Sequence, residues 1–331
     1  MSSLRAKWRM AAVTATTALA VLMFSNAPAS AAVFGESSTW ASEIEDNVPV
    51  RANGFMGEAR ATNGDLIQVW RGYDNPGMYL SLDHGRPVRL AGTTNASPQV
   101  VYMGGAQFVL FHTGTNGFIF YCVLTVNQAN NGQRYLNFGN WIQVPNGAQT
   151  NDGRPVAIAA LPHNNISLAF HGANSNEIWS MIFNIPNNLW GDPVRVAGAT
   201  SNSSPALAFS PANNLLLMAY RGLDNRVNVI RTYYQDNAWY GRSILDGVQT
   251  DSEPAIAMAG SGWGQVAVRQ QGTGVLYLED VQDTGSHGDW TREAIAFASA
   301  YGPRLIMDAY RAYLVATNLN GYVMWKQSRQ Y

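Results

Sequence analysis

Six of the fourteen prolines form a ladder: Pro49, Pro98, Pro155, Pro205, Pro254 and Pro303 recur at intervals of 49, 57, 50, 49 and 49 residues. A period of this length narrows the choice of fold sharply, because a repeat of about 40–50 residues holds the four strands of one propeller blade. The one long interval contains a polar insertion, Asn127 to Asn140. Each unit then follows one order. After the proline comes a run of small apolar residues: Val156-Ala157-Ile158-Ala159, Ala206-Leu207-Ala208-Phe209, Ala255-Ile256-Ala257-Met258 and, more loosely, Arg304-Leu305-Ile306-Met307. Small side chains suit an innermost strand, where blades taper toward the axis. A second apolar run follows, such as Phe108 to Phe111 or Leu215 to Tyr220. It ends in a hairpin rich in Gly, Asn and Asp, the residues that accept positive φ in tight turns.

A third strand carries an aromatic residue in most units: Tyr79, Phe120, Trp179, Tyr277 and Trp325. A tryptophan then opens the outermost strand at Trp141, Trp190, Trp239 and Trp290, with Gly85 at the corresponding place in the first unit. The sixth unit stops at Tyr331 before any such tryptophan, while Thr39-Trp40-Ala41-Ser42-Glu43-Ile44 matches the style of Ala238 to Ile244. The expected fold is therefore an all-β, six-bladed β-propeller of four-stranded blades. Its last blade combines residues 301–328 with the N-terminal strand, which closes the ring and removes an exposed edge. Low charge and the lack of a 3.6-residue apolar period agree with this. A pair of β-sandwiches would also be all-β but would not produce a ladder of six.

The first 31 residues read as a signal peptide: Arg5, Lys7 and Arg9, an apolar stretch from Met10 to about Phe24, then Ala29-Ser30-Ala31 as a cleavage site. The stretch is short and interrupted by threonines, which disfavours a membrane-spanning anchor. Cleavage leaves residues 32–331 as one propeller domain in a secreted, extracellular protein, with repeats starting near 49, 98, 155, 205, 254 and 303. The mature chain has a formal charge of −4 and a single lysine, Lys326. This excludes the electrostatic footprint of a nucleic-acid binder or of a protein held on an anionic membrane. Cys122, the only cysteine, sits in the apolar run Phe118 to Leu124 and reads as a buried hydrophobe.

The blade consensus runs S-P, small apolar strand, N-x-L, strand, R-G-x-D-N, aromatic strand, x-W, outer strand, G-x-x-T. The fourth unit shows it in Ser204-Pro205, Asn214-Leu215, Arg221-Gly222-Leu223-Asp224-Asn225, Trp239 and Gly247-Val248-Gln249-Thr250. This pattern resembles bacterial propeller lectins of the Photorhabdus luminescens lectin type and is similar in outline to fungal fucose-binding propellers. It also looks like secreted actinobacterial propellers such as dispase autolysis-inducing protein. The resemblance spans the whole mature chain at the level of repeat pattern. It implies a secreted carbohydrate-binding protein, a lectin whose partners are glycans or glycoconjugates, with no cofactor. Two departures stand out. Lectins of that type usually have seven blades, and only the first and fourth units here keep R-G-x-D-N. His112 and His171 stand for the arginine in the second and third units, and Gln271 in the fifth.

The hairpins between second and third strands and the links between blades share one face. That face is expected to carry the carbohydrate-binding residues: Trp70, Arg71, Asp74, Asn75, His112, Asn116, His171, Asn174, Trp179, Arg221, Asp224 and Asn225. Aromatic faces suit the apolar side of a pyranose, and planar hydrogen-bonding groups suit its hydroxyls; repetition would add avidity. The same Asp and Asn residues also suit ligand-free Asx-turns. No metal site is expected, since neither histidine has companions at ligand spacing. Two other functions remain open. One is a secreted interaction or envelope protein with a protein partner on the same face. The other is a sialidase-like or other glycoside hydrolase, since sialidases are also six-bladed. Against catalysis, the S-x-D-x-G-x-T-W box is absent, its nearest text being Asp283 to Thr291, and no G-x-S-x-G or H-E-x-x-H occurs. Carboxylates for a hydrolytic pair would come from Asp65, Glu177, Asp224, Glu253, Glu279, Asp280 and Asp308. No catalytic residue is assigned.

Overall fold

A computed structural model describes residues 41–45, 48–151, 153–236, 238–293, 297–307 and 312–327. The expected signal peptide, Trp40 and Asp308 lie outside them. The described chain forms six antiparallel blades in a ring, a six-bladed β-propeller. The first blade runs outward through Gly57–Arg60, Leu66–Arg71, Gly77–Leu82 and Val88–Thr93. The fourth is the most regular, with Ala206–Ser210, Leu215–Arg221, Arg226–Tyr233 and Tyr240–Gln249. In the second blade the polar insertion is a hairpin extension, in which Ile119–Gln128 pairs with Arg134–Phe138 and then with Ile142–Gln143. Arg134 in this extension forms ion pairs with Asp65 and Asp83 of the first blade, strapping the two together.

Ring closure follows the expected device. Ala41–Ser42 is the outermost strand of the sixth blade and pairs antiparallel with Val323–Gln327, Ala41 opposite Trp325. The first rung of the proline ladder differs. Pro49 belongs to a two-stranded pairing of Ile44–Glu45 with Val48–Pro49, and the first innermost strand begins only at Gly57. Gly57 lies opposite Val69 as Gln99 lies opposite Phe111, so Met56 holds the place that Pro98 holds in the second blade.

Apolar residues on both faces of each sheet pack against the neighbouring blades, giving six buried clusters, one at each blade interface. The cluster between the second and third blades is aromatic, with Phe111, Tyr121, Phe183 and Trp190 in mutual contact. The closing interface joins Val315 and Val323 to Val50, Met56 and Trp70. Between the fifth and sixth blades, Lys326 forms a buried ion pair with Glu293. Cys122 is buried as expected; burial pushes its thiol up to about 11, and its sulfur donates to the Gly139 carbonyl. Among the described residues no helix is long and apolar enough to cross a membrane.

Candidate functional site

The register of the second strand defines one equivalent position per blade, its last residue: Arg71, Thr113, His171, Arg221, Arg269 and Thr317. Each of these side chains donates to a backbone carbonyl in an adjoining interblade link. Arg71 Nη1 reaches Asn95 O at 3.3 Å, Thr113 Oγ1 reaches Arg154 O at 2.8 Å, and His171 Nε2 reaches Ser201 O at 2.8 Å. Arg221 Nη2 reaches Asn202 O at 3.3 Å, Arg269 Nη1 reaches Ala300 O at 2.6 Å, and Thr317 Oγ1 reaches Gly54 O at 2.7 Å. This position therefore staples the links to the blades. His112 does not occupy it. Being one residue earlier, it faces the other side of the strand and stacks on Phe120 at 5.3 Å with Trp141 edge-on at 4.5 Å. Burial lowers its pKa to about 4, so it is a neutral packing residue. Nor does Gln271 occupy the position, which in the fifth blade belongs to Arg269.

The repeated hairpin residues have local duties. Asn75 Oδ1 accepts from Gly77 N at 2.9 Å, Asn116 Oδ1 from Phe118 N at 3.2 Å, and Asp224 Oδ1 from Arg226 N at 3.2 Å. Ser175 and Thr273 repeat the device with hydroxyls, so these are Asx- and ST-turns. Asn174 and Asn225 have φ of 57° and 63°, the left-handed conformation Asn tolerates. In the first three blades the hairpin glycine recurs for a reason other than φ. A Cβ on Gly72, Gly114 or Gly172 would lie within 2.9 Å of the third-strand ring of Tyr79, Phe120 or Trp179. Those rings thus cover the turns. Trp70 is 5% exposed and stacked on Tyr79, and Asp74 is exposed near Arg51 at 4.0 Å.

Of the twelve expected residues, Arg71 and Arg221 are the two that line a common cavity. It has a volume of about 310 Å³ and opens on the axis, bounded by interblade links from all six junctions. Arg154, Asp251, Glu253 and Tyr301 complete its charged and phenolic lining, with Asn53, Asn95, Asn202 and several serines. The extended conformation imposed on a residue before proline sets Arg154 and Glu253 in equivalent places ahead of Pro155 and Pro254. Gly302 makes room for Glu253, since a Cβ there would meet the Glu253 carbonyl oxygen at 2.3 Å.

Charge in this cavity is unevenly shared. Asp251 is held by Arg269 at 2.8 Å, and Tyr301 OH donates to Asn53 Oδ1 at 3.0 Å. Arg71 Nε, Arg154 Nη1 and Arg221 Nε are buried and lack an acceptor among the described residues. Burial lowers the pKa of Arg154, with Arg221 adding to the effect and Glu253 opposing it; Arg221 is lowered by burial and supported by Glu253 and Asp251. Arg304, beside the cavity with its guanidinium 4.2 Å over the Phe55 ring, is lowered by burial to about 10, Glu253 again opposing. Of the carboxylates considered for hydrolysis, Glu253 lines this cavity. Asp65 pairs with Arg134, Glu177 with Arg195 and Glu279 with His287, while Asp280 accepts from Gln265 and Asp224 caps its turn.

Sequence reasoning found Arg71 and Arg221 through R-G-x-D-N but missed Arg154 and Tyr301 as cavity residues. The signal for Arg154 was its place directly before a ladder proline.

No protein-family model matches the sequence, and no curated protein matches it significantly. Solved structures match by fold. A sialidase from Trypanosoma rangeli, solved with the inhibitor DANA, has a TM-score of 0.58 at 14% identity and covers 87% of this chain. The match spans 57% of that sialidase's length. A variant of Aleuria aurantia lectin in complex with Fucα1-6GlcNAc has a TM-score of 0.57 at 12% identity, covering 84% of this chain and 93% of the lectin. A gluconolactonase from Xanthomonas campestris has a TM-score of 0.54 at 13% identity, covering 88% of this chain and 90% of that one. At these identities the likeness is one of fold, shared by a lectin and two kinds of enzyme.

Proposed function

We propose that the protein is a carbohydrate-binding propeller that takes a saccharide in the axial cavity of its link face. The observation that carries this reading is the cavity itself: about 310 Å³, lined by Arg71, Arg154, Arg221, Glu253 and Tyr301, with three guanidinium N–H groups left without acceptors. That volume is at the lower end of small-ligand sites and suits one sugar residue. Planar guanidinium donors beside a carboxylate acceptor match the vicinal hydroxyls of a pyranose. The lectin among the fold neighbours supports the class of ligand. The repeated turn residues, committed to Asx-turns and ring packing, support one central site rather than a ring of equal ones.

A glycan array probed with the full chain tests this. Binding is expected, weakened about tenfold or more by Arg221→Gln, which removes a charged donor from the cavity, and unchanged by Asp224→Asn on the exposed turn. Absence of signal on every glycan overturns the reading and favours a protein partner on the same face.

A further inference from the structure

The axial cavity gathers more positive charge than the chain around it accounts for. Three guanidiniums, Arg71, Arg154 and Arg221, line it with two carboxylates, Asp251 and Glu253, and outside the lining Arg269 pairs with Asp251 while Arg304 acts on Glu253, in a protein whose formal net charge is −1. One of those carboxylates is already committed, since Asp251 is gripped by Arg269 through contacts of 2.8 and 2.9 Å. The staples explain part of the arrangement: Arg71 and Arg221 each spend one nitrogen on a link carbonyl. They do not explain why the Nε atoms of both remain without acceptors, nor why Arg154 is present at all. Among the described residues the Arg154 side chain donates no hydrogen bond, and its nearest charged company includes the like charge of Arg221. Bringing desolvated cations together is unfavourable unless an anion joins them.

We infer that the cavity selects a sugar bearing a carboxylate, with Arg71, Arg154 and Arg221 receiving the acid and Glu253 accepting from the hydroxyls, an inference that rests on the carbohydrate-binding reading above. A carboxylate is the planar anion that guanidinium forks match. Glu253 argues against a bare anion, because its own charge repels one and needs a donor opposite it. A polyhydroxylated acid answers both demands, and a cavity of about 310 Å³ admits one such ring.

Calorimetric titration of the full chain at about 0.15 M salt with matched pairs tests this: glucuronate against glucose, galacturonate against galactose, and N-acetylneuraminate against its methyl ester, with inorganic phosphate as the bare anion. At least one acid is expected to bind about tenfold or more tighter than its neutral partner and than phosphate. Arg154→Gln should erase that preference while the thermal transition stays in place, and Arg154→Lys should restore part of it. Equal affinity within every pair overturns the inference and leaves the carbohydrate reading standing, as does binding of neutral glycans alone. Phosphate binding as tightly as the acids overturns the sugar component. Failure of every saccharide overturns both.

Discussion

The two mouths of the propeller axis are built from the same repeat but solvated in opposite ways. On the link face the lining is Arg71, Arg154, Arg221, Asp251, Glu253 and Tyr301 around about 310 Å³. On the other face a wider cavity of about 470 Å³ is walled by the innermost strands, with Val101, Leu207, Phe209, Ile256, Met258, Leu305 and Met307 among its residues. Among the described residues its one ionisable lining residue is Glu58, which burial and the nearby Glu43 raise to about 7. One mouth keeps charges and leaves donors unanswered; the other tends to neutralise Glu58. The difference teaches that cavity size does not identify the site here. Directional, unsatisfied groups do, because they can tell one ligand from another, whereas small apolar side chains at the apolar mouth follow from the taper of the blades.

The sharpest way to break this comparison is to place the same acid at both mouths. Leu207 is 8% exposed at the apolar mouth, and Leu207→Asp is expected to lose about 3 kcal/mol in denaturant unfolding, since a buried carboxylate there finds no cation. Ser204 is 4% exposed at the arginine mouth, its hydroxyl without a partner among the described residues. Ser204→Asp is expected to shift stability by less than about 1 kcal/mol, because the arginines answer the new charge. Equal losses at the two positions would show that the mouths do not differ electrostatically.

A smaller effect isolates the apolar mouth. The folded-state pKa of Glu58, about 7, lies above its ordinary value of 4.5, so the folded protein holds a proton that the unfolded chain releases. Its stabilising contribution is complete below about 4.5 and lost as pH rises through about 7. Glu58→Gln, which retains an acceptor for the Gln68 amide, should therefore be more stable than the parent by about 1–2 kcal/mol at pH 8 and equal to it near pH 4. Glu279, also raised to about 7, titrates in both proteins and cancels in the difference. A pH-independent difference would show that Glu58 is already ionised in the folded state.

The fold was legible because a ring of blades repeats its signals. Small residues after the later ladder prolines, a ring-covered glycine at the first three hairpins and the match between the N-terminal and fourth-blade outer strands all follow from geometry that recurs with the period. The first rung misled because Pro49 closes a short hairpin with Ile44, while the true first strand at Gly57 follows a methionine instead. The site was less legible for the opposite reason. Repeated residues are those every blade needs: Asn75, Asn116 and Asp224 hold turns, and Trp70 and His112 pack. The cavity depends on positions where the blades depart from one another. Before the ladder prolines stand Ser97, Arg154, Ser204, Glu253 and Gly302, and that variation directs different chemistry at one axis.

The smallest predicted effect bears most directly on whether the arginine mouth is a site or a scaffold. Arg71 holds a link carbonyl at 3.3 Å, so Arg71→Gln should cost about 1 kcal/mol of stability. Arg154 holds none among the described residues; it faces the repulsion of Arg221 and the attraction of Glu253 in a desolvated setting. Those contributions oppose one another, and removing the charge also removes the penalty of burying it. Arg154→Gln is therefore expected to leave unfolding free energy within about 0.5 kcal/mol of the parent, or to raise it slightly, even as ligand binding falls. Such a residue would be retained for what it binds. A loss of 2 kcal/mol or more would instead mean that Arg154 holds the links together, and the excess of guanidiniums would then be explained by architecture.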